Sequence, residues 1–105
     1  PATARAMTIL PGQQCKTMAE VRAGVDQVDR ELVALLRRRF DYMDAAARIK
    51  PARGAVRDEP RKAQVIANAR AAAVAAGMPG DAIAALWDAL VEASIAYELE
   101  AFDRR

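Results

Sequence analysis

The sequence contains no histidine and one cysteine, Cys15. Without histidine the commonest general base and metal ligand is missing, and a single thiol cannot close an internal disulfide. Cys15 also has no base close to it in sequence, so a cysteine nucleophile is poorly supported. Glycine and proline number five each, and two of the prolines fall within the first eleven residues. Most of the chain is therefore free of breakers, and its abundant alanine favours long helices. Strands have almost no support. No apolar run is long enough to span a bilayer, no glycine-rich phosphate loop occurs, and no spacing of Cys, His and acids suggests a metal or cofactor site. Charge of one sign is lacking too: 16 Lys and Arg face 14 Asp and Glu, interspersed, for a net charge of +2. That is not the concentrated basic footprint of a nucleic-acid binder. Cysteine usage points to a reducing, cytoplasmic setting. Because the first residue is Pro1 and not Met, a removed leader stays open.

What the sequence does contain is helical periodicity. A chain of 105 residues is one domain with a modest core, for which a partner subunit is a natural supplement. Residues 1 to 16, with Pro1, Pro11 and Gly12, read as a flexible N-terminal arm, and residues 17 to 105 as a single helical domain. Thr17 with Glu20 three residues on has the form of a capping box. Apolar residues then recur at Val21, Val25, Val28, Leu32, Leu35, Leu36, Met43 and Ala46, one face of a helix reaching about Lys50. Pro51 and Gly54 predict a connecting loop over 51–57. A second helix is predicted from an Asp58 cap to Gly77, and a third from an Asp81 cap through Phe102. The fold class is all-α, three helices with a long first one. That helix, roughly 50 Å long at 1.5 Å per residue, is too long for two shorter helices of its own chain to cover. Its stripe predicts a second protomer.

Certain charges interrupt the apolar faces. With Leu32 at zero on a helical wheel, Arg39 falls at about −20° and Lys50 at about 0°, both in the middle of the stripe. Arg37, Arg38 and Arg48 fall off it and read as solvated. Two readings stand for Arg39, a ligand contact or a buried ion pair with an acid such as Asp29 or one from a partner chain. Lys50 can equally be a cation placed at a helix C-terminus. The two together point to an internal anionic ligand. Arg22 lies at the stripe edge, roughly 25 Å along the axis from Arg39, and would reach the same small ligand only from an antiparallel partner helix. On the third helix Ser94 and Glu98 fall on or beside the apolar face; for Ser94 a bond back to the preceding turn is the alternative. With nucleophilic and metal-assisted routes unsupported, catalysis would rest on positioning and electrostatics.

These segments resemble the all-helical (AroQ-class) chorismate mutases and their relatives, the isochorismate pyruvate lyases. The resemblance runs from about Met18 to Phe102 and rests on Glu20-Val21-Arg22, Val28 through Leu36, Arg38-Arg39, Lys50 and Val56 through Arg61. The steps of seventeen residues from Arg22 to Arg39, eleven to Lys50 and eleven to Arg61 are jointly specific. It implies an intertwined homodimer with shared sites, in which Arg39, Lys50 and Arg61 of one chain and Arg22 of the other hold a small dicarboxylate. Asp58 matches an acid that contacts the ring hydroxyl, and Ser94 and Ile95 match pocket positions. No cofactor, nucleic acid or membrane is expected as a partner. The implied reaction is the pericyclic rearrangement of chorismate to prephenate, with Lys50, Glu98 and Arg39 as the catalytic set. The lyase reaction, salicylate plus pyruvate from isochorismate, is the alternative, and a non-catalytic helical regulatory dimer is a third reading. The chain departs from many mutases at Lys62, where a glutamate is usual, and at Glu98, where bacterial members carry glutamine.

Overall fold

The structure, a computed structural model, describes residues 9–105. Among the described residues there are three α-helices and no strand: α1 is Met18–Ile49, α2 Glu59–Ala75 and α3 Gly80–Asp103. Two 3-10 turns, Gly12–Gln14 and Arg53–Ala55, precede and follow α1. The chain divides into two compact units, Pro1–Arg39 and Phe40–Arg105.

In the first unit the capping box forms. The Glu20 amide donates to Thr17 Oγ1 at 3.2 Å, and the Thr17 amide donates to Glu20 Oε1 at 3.0 Å. Two otherwise orphaned donors are thereby satisfied at the helix start. Residues 9–16 of the expected arm include the 3-10 turn, and Ile9 to Gly12 and Cys15 line an apolar groove of about 420 Å³ with Val21, Gly24, Val25 and Val28. The first eight residues of that arm lie outside the described residues. The periodic stripe is open to solvent in the single chain: Val25, Val28, Leu32 and Leu35 are each about half exposed. Of the 32 residues of α1 only Ala47 is buried.

The second unit has its own core. Val56, Val91 and Ile95 are buried, with Val65, Ile66, Leu99 and Phe102 packed against them. Asp58 begins α2 by accepting from the Arg61 amide at 3.0 Å, with Pro60 in the first turn, where its missing N–H costs nothing. The helix ends in a Schellman turn: the Met78 amide donates to Ala73 O at 2.8 Å and the Gly77 amide to Val74 O at 3.0 Å. Gly77 takes φ +75°, a left-handed conformation that favours glycine. The expected Asp81 cap of α3 does not form. Pro79 occupies the N-cap position without a side-chain bond, α3 starts at Gly80, and the Asp81 carboxylate pairs with Arg70. One residue inside the helix, Asp81 favours the macrodipole but is no longer the cap. The 51–57 connection is also more structured than a plain loop, because Val56, 4% exposed, belongs to the core.

Candidate active site

Lys50, the residue that follows α1, turns its side chain into the second unit. Its amide donates to Ala46 O at 2.9 Å, completing the last turn. The side chain folds inward. Lys50 Nζ lies 2.7 Å from Glu98 Oε2 and donates to Val56 O at 3.3 Å. Glu98 is only 4% exposed, a burial that carboxylates rarely accept unpaired. The contact is an ion pair off the hydrogen-bonding direction, since Oε2 has no hydrogen-bond partner among the described residues. A buried acceptor in that state is a place where a donor from elsewhere would gain.

Helix α3 carries this acid on an inward face. Ser94 and Glu98 stand one turn apart at i and i+4, and Ser94 is 3% exposed. Its hydroxyl donates to Leu90 O at 2.7 Å, the backward bond that serine makes in a helix interior. Ile95 lies between them in the core with Val56 and Val91. The end of α1 is tied to the same helix by Tyr97, whose hydroxyl donates to Asp44 at 3.0 Å while its ring meets Phe40 edge-on.

Lys50, Ser94, Ile95 and Glu98 are thus gathered on or beside one core. Asp58 and Arg61 stand at the start of α2 and are exposed, with Asp58 serving as the cap and the Arg61 guanidinium donating to Gln64 at 2.8 Å. Arg22 and Arg39 belong to the first unit, Arg22 exposed and Arg39 half-buried. Lys62, the departure noted in the sequence, bonds Glu92 at 2.7 Å, and Arg57 grips the same carboxylate at 2.8 and 3.0 Å. These bonds, Arg57's first, hold the Glu92 carboxyl down to about 2. Sequence reasoning missed Glu92 as well as Arg105, whose guanidinium reaches back to the end of α1. Both are surface charges by pattern, and nothing in their spacing marks them.

The described residues define an all-α protein, with no helix long and apolar enough to cross a membrane. The profile of the family described as chorismate mutase type II matches residues 21–99, and the chain belongs to that family. An isochorismate pyruvate lyase of Pseudomonas aeruginosa is 33% identical over 54 residues, which make up 51% of this chain and 54% of that protein. The chain spans about half the length of this curated relative.

Proposed function

We propose that the chain is a chorismate mutase, converting chorismate to prephenate in an intertwined homodimer. The observation that carries this reading is the inward Lys50 held 2.7 Å from the buried Glu98, in a chain of this family whose sequence offers no histidine. A pericyclic rearrangement needs no nucleophile. It needs the two carboxylates fixed in the compact reactive conformer, and donors where negative charge grows on the ether oxygen. On this reading Arg39 and Arg61, with Arg22 from a second chain, grip the carboxylates. Asp58 meets the ring hydroxyl once it turns from its capping role, and Ser94 and Ile95 shape the wall. The Lys50 ammonium faces the ether oxygen. An ionised Glu98 only accepts hydrogen bonds, so it serves as a donor in its protonated form and otherwise orients Lys50.

The half-exposed stripe of α1 supports the dimer, because a second copy laid antiparallel covers it and carries Arg22 toward the opposite site. A lyase acting on isochorismate is the second reading, favoured by the Pseudomonas aeruginosa relative and served by the same cationic pocket. Purified protein incubated with each substrate separates the two. Prephenate from chorismate is the expected product; salicylate and pyruvate from isochorismate, without prephenate from chorismate, would replace the mutase reading by the lyase.

A further inference from the structure

The last carbonyls of an α-helix lack intrahelical partners, and at the end of α1 these are the carbonyls that flank Lys50. Two of them are taken by one guanidinium: Arg105 Nη1 donates to Ala47 O at 3.1 Å and to Lys50 O at 2.7 Å. The same guanidinium lies 3.7 Å over the Phe102 ring, and Phe102 packs against the core of Val56, Val91 and Ile95. A planar guanidinium stacked on an aromatic face is held in orientation as well as in place. The carbonyl of Lys50 is thus fixed to the core through Arg105. A second strap lies three residues on, where Arg53 bonds Asp103 at 2.9 and 3.3 Å. Pro51 cannot continue the helix, so without these contacts the backbone at Lys50 would be a free helix end.

We propose that Arg105 is a positioning residue for Lys50. By binding Ala47 O and Lys50 O it sets where the Lys50 ammonium stands, and the Asp103–Arg53 pair restrains the connection that follows. This rests on the reading of Lys50 as a substrate contact. Arg105 touches no substrate on this account and acts only through the lysine it anchors.

The test is a double-mutant cycle joining Arg105→Ala to Lys50→Met. It is read as kcat and KM on whichever of chorismate and isochorismate is turned over, and as calorimetric affinity for a bicyclic dicarboxylate mimic of the transition state where turnover is too low. Arg105→Ala alone is expected to lower kcat on the order of tenfold with little change in KM, the scale of a small misplacement of a catalytic group. Amide exchange over 47–57 should quicken alongside. In the Lys50→Met background the same change should cost nothing further. An equal loss in both backgrounds overturns the proposal, because Arg105 would then matter only for general stability. Wild-type turnover of Arg105→Ala beside an impaired Lys50→Met overturns it alone. Wild-type turnover of Lys50→Met overturns the reading of Lys50 and the positioning role together. Should Arg105→Ala lose its helical circular dichroism, Arg105→Gln, which keeps an amide donor for one carbonyl, carries the same cycle.

Discussion

The two units of this chain solve the burial of apolar surface differently. In the second, Val56, Val91 and Ile95 find partners within the chain and are nearly excluded from solvent. In the first, Val28 and Leu32 remain 51% and 50% exposed although they form an equally regular stripe. A lone helix has only one side of itself to offer, whereas α2 and α3 face each other across a short turn. The second unit holds Lys50 against Glu98 by itself; the first offers an apolar surface that nothing in its own unit covers.

The largest effect is expected at the first unit's stripe. Leu32→Asp should turn a dimer into monomers in analytical ultracentrifugation and cut kcat/KM on the order of a hundredfold or more, as a site loses a borrowed cation. A fully active monomer would break the comparison. Mixing an Arg22→Ala chain with an Arg39→Ala chain sharpens it. The mixture should regain about a quarter of wild-type activity, since random pairing makes half the dimers mixed and each holds one intact site. Absence of recovery after verified subunit exchange would end the shared-site reading.

Next come paired truncations, one per unit. Ile95→Ala should cost about 2–4 kcal/mol in urea unfolding, the range for a buried aliphatic side chain. Val28→Ala should change the stability of dilute protein by less than about 0.5 kcal/mol, while raising the concentration at which the dimer forms. Equal costs at both sites would mean that the stripe is already covered within one chain.

A several-fold effect is expected at Glu98. Glu98→Gln places a hydrogen-bond donor there, and should raise turnover of chorismate. Turnover unchanged in the variant would leave Lys50 as the donor for the ether oxygen.

The smallest effect belongs to the partly exposed cluster of Arg57, Lys62 and Glu92. The Glu92 carboxyl is lowered from its ordinary 4.5 to about 2, chiefly by its bonds to Arg57. Its contribution to stability is therefore present above about pH 4.5 and lost as pH falls toward 2. The melting temperature of Glu92→Gln should lie slightly below wild type at neutral pH, and the gap should close over that window. A gap that persists below pH 2 would assign the loss to packing and not to charge.

The long first helix, the capping box of Thr17 and Glu20, the Asp58 cap and the stop at Gly77 were all legible because each is governed by residues within a few positions of one another. The inward faces of Ser94 and Glu98 were legible too, since a helix maps spacing onto direction. Asp81 misled because a cap depends on which residue turns first, and Pro79 began the helix two positions earlier than the acid required. The sequence alone thus settled which side chains interrupt an apolar face, a property of one helix at a time. Only the tertiary structure decided what they meet: that Lys50 closes on Glu98, that Glu92 is shared by Arg57 and Lys62, and that Arg105 returns 55 positions to hold the Lys50 carbonyl. Those contacts join residues 30 or more positions apart, several of them in the connections and at the chain end and not on a helix, and the turns that bring the helices together leave no periodic trace in the chain.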